Sequence, residues 1–185
     1  MIPKSTLRTE MRARRRRLAV EAPDAALRAA ANLPADWPGT PVATYGLYHP
    51  IGSELDPGAI RIAGARAALP VVVGRDAPLA FRLYSPGDAL EPDALGILAP
   101  TSRAETVWPD VLFVPVLAFD GRGGRLGQGG GFYDRTIAAL RARGPVWVVG
   151  VAYAGQEVGD LPLEPHDQRL DALLTEAGFR LIATA

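Results

Sequence analysis

The sequence predicts an α/β fold, a three-layer α/β/α sandwich around an open, largely parallel sheet. Three observations point there. Candidate strands alternate with segments of helical periodicity, the order that places helices on both faces of such a sheet. Close to half of the 185 residues are hydrophobic, enough for a single domain over 1–185 with a substantial core. A glycine-dense turn, Asp120 to Arg135, follows the apolar run Val111 to Phe119. Open α/β sheets bind ligands beyond the carboxyl ends of their strands, where this turn falls.

Taken in order, residues 4–18 have the period of a helix. At about 100° per residue Leu7, Met11 and Leu18 form one narrow apolar stripe. Lys4, Arg8, Arg12 and Arg15 fill the adjoining arc, either as cations lining a cleft or as a solvated basic face. Ala25 to Asn32 closes the helical region, and Pro34 to Pro41 is a connector. Val42 to Tyr48 alternates like a strand, Ala59 to Ala68 suits a helix, and Leu69 to Val73 and Leu79 to Tyr84 are short strands. Pro86 to Pro100 is rich in Pro, Gly and Asp and reads as loops. Val111 to Phe119, Val146 to Tyr153 and Phe179 to Ala183 are further strands, with a helical pattern over Thr136 to Arg143.

Composition removes several functions. The formal net charge is zero, so no global field attracts nucleic acid or a membrane surface. Cysteine is absent, which excludes disulfides, thiolate metal sites and a cysteine nucleophile and suits a reducing cytoplasm. The longest apolar stretch, Val146 to Ala154, is far short of the roughly 18 residues that span a bilayer, and the charged start lacks a signal-peptide core. A cytoplasmic monomer acting on a small molecule is expected. Histidines 49 and 166 are too far apart to form a recognisable metal-ligand pattern, and there is no G-x-S-x-G elbow.

The glycine turn carries the functional signal. Glycines let the backbone approach a ligand closely, and free N–H groups at a helix start point at an anion. The spacing fits neither G-x-x-x-x-G-K-[ST] nor G-x-G-x-x-G, because Phe132 stands where the third glycine of the latter belongs. A plain flexible loop is the alternative for glycines alone. Arg125 and Arg135 on the flanks, with Tyr133 and Asp134 at the helix start, add phosphate-binding cations and a carboxylate for a metal.

The ordered run Arg125-Leu126-Gly127-x-Gly129-x-Gly131-Phe132-Tyr133-Asp134-Arg135, preceded by Pro115-x-x-Ala118-Phe119-Asp120, resembles the signature of the 5-formyltetrahydrofolate cyclo-ligase family. Lys4-x-x-x-Arg8, Glu54-Leu55-Asp56-Pro57 and Leu161-Pro162-x-Glu164-Pro165-His166-Asp167 extend the resemblance over nearly the whole chain. It implies ATP-dependent conversion of 5-formyltetrahydrofolate to 5,10-methenyltetrahydrofolate, with ATP and Mg²⁺ as the required partners. Lys4, Arg8 and the run Arg125, Leu126, Gly127, Gln128, Gly129, Gly130, Gly131, Phe132 and Tyr133 match the nucleotide site. Arg125 and Tyr133 match catalytic positions. Asp134 and Asp167 match magnesium-associated aspartates; by themselves they read as a helix-start carboxylate and a turn residue.

On the substrate side the resemblance assigns Glu54, with His49, Gln128 and Phe132. A carboxylate can accept two coplanar N–H donors from a pterin edge. Asp56 competes for that role but precedes Pro57 and suits a turn. Trp108 and Tyr153 are further candidates for the pterin pocket. The chain departs from the family pattern at Gln128 and Gly130, where some members carry an aromatic or basic residue and a lysine. A phosphate contact is then missing, and Arg135 or the N-terminal arginines have to supply the charge. A nucleotide binder without folate chemistry and a basic-helix RNA-binding protein are the competing readings; Glu54 weighs against the first and the neutral charge against the second.

Overall fold

The computed structural model describes residues 3–183. Two helices lead, α1 (Lys4–Glu21) and α2 (Ala25–Asn32). The strands β1 (Thr44–Gly46), β2 (Arg66–Val71), β3 (Ala80–Leu83), β4 (Leu90–Pro92), β5 (Leu98–Pro100), β6 (Thr106–Val107), β7 (Val111–Pro115), β8 (Ala118–Phe119) and β9 (Arg125–Leu126) come next. Then come α3 (Phe132–Arg141), β10 (Trp147–Val151), a 3₁₀ turn at Ala154–Gln156, β11 (Ala172–Thr175) and β12 (Gly178–Leu181).

Eight strands form one sheet in the order β12-β11-β10-β7-β1-β2-β3-β6. The inner pairs β2–β1, β1–β7, β7–β10 and β10–β11 are parallel, and the outer pairs β11–β12, β2–β3 and β3–β6 are antiparallel. Period-two side chains explain why the central strands are apolar on both faces. In β7, Val111 and Phe113 join one core, while Leu112 and Val114 join the other. The first core includes Ala25 and Ala29 of α2; the second includes Ile137 and Leu140 of α3. Helices therefore cover both faces, and the expected three-layer α/β/α arrangement is the one observed.

The strand order reverses between β1 and β7: the chain moves outward from β1 to β2 on one side and from β7 to β10 to β11 on the other. At such a switch point the two following loops diverge and leave a crevice. The loop after β1 carries His49 and Glu54, and the segment after β7 carries the glycine turn.

Four local expectations change. Residues 59–68 form turns and the start of β2, not a helix. Asp56 Oδ1 accepts the Gly58 amide at 2.8 Å, Gly64 has φ +77°, and Ile60 and Ile62 are both buried, a spacing of two that belongs to extended chain. Within 86–100 lies the β4–β5 hairpin, whose turn is closed by Asp93 Oδ1 accepting from the Leu95 and Ile97 amides at 2.9 and 3.0 Å. The glycine turn itself is split. Its first half is the β8–β9 hairpin, in which the fully buried Asp120 accepts the amides of Arg122, Gly124 and Leu161 at 2.9, 2.8 and 3.1 Å. Residues 127–131 form the open loop between β9 and α3, and α3 begins four residues earlier than its periodicity indicates. Finally, β11 is a fully buried strand, one in from the β12 edge, that alternation does not reveal because Ala172-Leu173-Leu174 has none.

Candidate active site

A cleft of about 520 Å³ opens at the switch point. Its walls include Lys4, Arg8, His49, Glu54, every residue from Arg125 to Asp134, and Asp167. The residues that the family resemblance assigns to the nucleotide, folate and metal sites thus share one cavity, although they come from four separate segments.

Helix α1 forms one wall, and its basic arc faces the cleft rather than solvent alone. Lys4 Nζ lies 2.8 Å from Asp167 Oδ2 and 3.2 Å from Glu164 Oε1. One turn on, Arg8 Nε donates to the Gly127 carbonyl at 3.0 Å, and Arg12 Nε donates to Gln128 Oε1 at 3.0 Å. Further along, Arg15 Nη1 meets Glu54 Oε1 at 3.3 Å. The helix period brings these four cations to one side, where they tie three segments to the helix: the Glu164–Asp167 turn, the glycine loop and the Glu54 loop.

The loop 127–131 needs its glycines at two points. Gly129 and Gly131 have φ of +103° and +67°, and a side chain on Gly129 would meet the Arg8 guanidinium. Gly131 is the N-cap of α3, so the loop delivers the helix's unpaired amides to the cleft. Asp134 in the first turn complements the helix dipole. Its Oδ1 also accepts from Arg125 Nη2 at 2.6 Å and from the Gln168 amide at 3.0 Å. Burial lowers the pKa of Arg125, while Asp134 and Asp167 oppose the shift; a guanidinium in that setting keeps its charge. Burial pushes the Tyr133 hydroxyl well above the ordinary phenol range, helped by the Glu54 charge, so Tyr133 is a neutral hydrogen-bond donor.

Burial disfavours the charge on Asp167, but hydrogen bonds from Lys4 and the Glu164 amide outweigh it and hold its carboxyl below the usual range. Burial disfavours the charge on Lys4 too, but its hydrogen bonds to the Asp167 and Glu164 carboxylates outweigh that and raise its pKa. Among the described residues no group of three or more His, Cys, Asp or Glu is arranged to hold a metal. The donor set nonetheless fits Mg²⁺, which commonly takes one or two carboxylates and completes its shell with water and phosphate oxygens. Asp134 and Asp167 both line the cleft, and their hydrogen bonds to the Gln168 and Glu164 amides fix them there.

Three candidates lie elsewhere. Trp108 is half exposed, with Arg143 stacked 4.0 Å from its ring centroid, and Tyr153 is buried in the core beneath α2. Neither lines the cleft. Arg135 turns away too, donating from Nη2 to the carbonyls of Arg75 and Gly130 at 2.8 and 3.0 Å. It braces the loop, and the cations facing the loop are those of α1. Conversely, the cleft includes Arg15, Tyr48 and Glu164, which sequence reasoning did not assign. Arg15 left a trace there as the last member of the basic arc, and Glu164 as a member of the Leu161 to Asp167 motif; Tyr48 left none.

A model of the 5-formyltetrahydrofolate cyclo-ligase family matches residues 1–176. The chain belongs to that family. A 5-formyltetrahydrofolate cyclo-ligase of Mycolicibacterium smegmatis is 38% identical over 144 residues, covering 69% of this chain and 71% of the relative. One from Haemophilus influenzae is 40% identical over 100 residues, a match spanning about half of each chain, 52% and 53%. The solution structure of Aquifex aeolicus 5,10-methenyltetrahydrofolate synthetase superposes with a TM-score of 0.74 at 31% identity, covering all of this chain and 95% of that one. Membership in the cyclo-ligase family makes the protein an enzyme of the ligase class.

Proposed function

We propose that this cyclo-ligase family member converts 5-formyltetrahydrofolate to 5,10-methenyltetrahydrofolate while ATP becomes ADP and phosphate. The observation that supports this reading best is the shared cleft: Glu54, suited to a pterin edge, and the glycine loop, suited to phosphates, open into one cavity. A formamide carbonyl is a weak electrophile and its oxygen a poor leaving group. In the proposed reaction the formyl oxygen attacks the γ-phosphorus and the bond to ADP breaks. N10 then attacks the activated carbon, loses its proton, and phosphate departs with the former formyl oxygen. No covalent bond to the protein forms, so catalysis consists of positioning and charge stabilisation.

In this reading Lys4, Arg8 and the amides of residues 127–131 hold the phosphates. Arg125 stabilises charge on the transferring group, and neutral Tyr133 donates a hydrogen bond there. His49, Gln128 and Phe132 border the folate with Glu54. Asp134 and Asp167 hold Mg²⁺, which when bound neutralises phosphate charge. The reading includes one domain over residues 1–185 acting as a monomer in the cytoplasm. The test mixes purified protein, 5-formyltetrahydrofolate, ATP and Mg²⁺ and follows the ultraviolet absorbance of the methenyl product. Absorbance that grows only when all four are present supports the proposal; nucleotide binding with no methenyl product overturns it.

A further inference from the structure

Arg15 is a charged residue in the middle of α1, yet only 6% of it is exposed. Its neighbours Arg14, Arg16 and Arg17 all face solvent. Its guanidinium makes a two-point contact with the loop after β1: Nε donates to Ser53 Oγ at 3.2 Å and Nη1 to Glu54 Oε1 at 3.3 Å. The side chains of Arg15 and Glu54 are 8% and 7% exposed, so water solvates neither charge well. Glu54 is fixed at its other oxygen too, where Oε2 accepts the Ile51 amide at 3.0 Å.

A desolvated ion pair of this kind contributes little net stability compared with apolar packing, but removal of one partner strands the other charge. What the pair does fix is geometry. Each carboxylate oxygen of Glu54 has one lone pair occupied, one by Arg15 and one by Ile51, and one left over. The Tyr48 and Tyr133 hydroxyls stand near the same carboxylate, both with pKa values raised by burial and then by the Glu54 charge. Those hydroxyls are therefore protonated donors, and nothing beside Glu54 except Arg15 supplies positive charge through a direct contact recorded among the described residues.

We infer that Arg15 is the positioning residue of the folate site: it holds the Glu54 carboxylate in one orientation, with two acceptor directions free for adjacent N–H donors of the pterin. This rests on the folate reading of Glu54 given above. Lys4 and Arg8 of the same helix touch the nucleotide side, so α1 acts on both halves of the cleft through different residues.

The test is a double-mutant cycle on the full chain, with a non-reactive folate analogue and, separately, an ATP analogue as calorimetric probes. Arg15→Met keeps the apolar length and removes the charge. It should weaken the folate analogue about 10- to 150-fold, the range for a lost charged hydrogen bond, and leave the ATP analogue within about twofold. In the Glu54→Gln background the same substitution should cost no more than a few fold, because the group it positions is already gone. Arg15→Lys retains charge but replaces the two-nitrogen fork that spans Ser53 and Glu54 with a single flexible nitrogen, so its folate affinity should fall between those of the wild type and Arg15→Met. It also carries the test if Arg15→Met does not fold. Equal folate affinity in wild type and Arg15→Lys or Arg15→Met, or fully additive effects with Glu54→Gln, overturns the positioning role alone. A wild-type protein that binds no folate analogue overturns the folate reading and this inference with it.

Discussion

Lys4 is the lone lysine of an otherwise arginine-only chain, and its surroundings suit a compact cation. Two of its three N–H donors are directed to Asp167 and Glu164, which leaves one for a phosphate. Lys4→Ala should therefore weaken ATP binding about 10- to 150-fold, as expected for a charge-assisted contact, with folate affinity little changed. The substitution also has a pH signature. Asp167 is held below its ordinary 3.8 and Lys4 above its ordinary 10.5, so the pair stabilises the fold between those values. That stability is lost on acidification through the folded Asp167 pKa, and on alkalinisation through the folded Lys4 pKa. Thermal melts should show Lys4→Ala less stable by about 1 kcal/mol at pH 7, roughly 2–4 °C, with the gap closing as Asp167 protonates in acid. A gap of the same size at pH 7 and pH 2 would falsify the ion-pair account. Lys4 was legible in the sequence because it stood alone; Arg15 was legible only as the last member of the basic arc, because helical periodicity picks it out of Arg14-Arg15-Arg16-Arg17 but does not name Glu54, 39 residues away, as its partner.

At the scale of elements, the glycine loop and the start of α3 act as one unit. Gly129→Ala forces a side chain into a φ of +103° and against the Arg8 guanidinium, so it should cost about 1–2 kcal/mol of stability and weaken nucleotide binding. Full nucleotide affinity in that variant would mean that the loop is free to rearrange. Asp134→Asn has two separable effects. It leaves the Arg125 guanidinium, whose side chain is 6% exposed, with a weaker partner, which should lower stability by about 2–4 kcal/mol even without ligand. It should also raise the Mg²⁺ concentration needed for half-maximal activity, a shift that Arg125 pairing alone does not produce. The sequence made the site's composition readable, because its residues sit in compact ordered motifs. It hid the division of labour inside Asp120 to Arg135, since a glycine in a hairpin turn and a glycine at a helix N-terminus look alike until Asp120 is seen to collect the hairpin's amides. Residues 59–68 misled for a related reason: their alanines and arginines suit a helix in isolation, whereas burial of both Ile60 and Ile62, two residues apart, demands extended chain.

For the whole molecule, the alternation of elements was enough to predict layered α/β architecture, but the order of strands was not readable. Order depends on which crossover each connection takes, and no short stretch of chain encodes that choice. It matters here because the reversal between β1 and β7 is what sets the Glu54 loop beside the glycine loop. Had β7 been inserted at the sheet edge, the same motifs would have formed two distant half-sites. The shared cleft has a kinetic consequence. If the phosphoryl acceptor is the formyl oxygen of a folate lying against Glu54, ATP bound alone faces only water, which nothing in the proposed arrangement activates. ADP release should then be slow without folate and should rise at least tenfold when 5-formyltetrahydrofolate is added, an increase worth about 1.4 kcal/mol of barrier. ADP and methenyl product should appear one for one. Parallel measurement of ADP by a coupled assay and of product by absorbance checks both statements, and Glu54→Gln should lower the two rates together at subsaturating folate. Equal ATPase rates with and without folate would show that the two walls of the cleft do not serve one reaction.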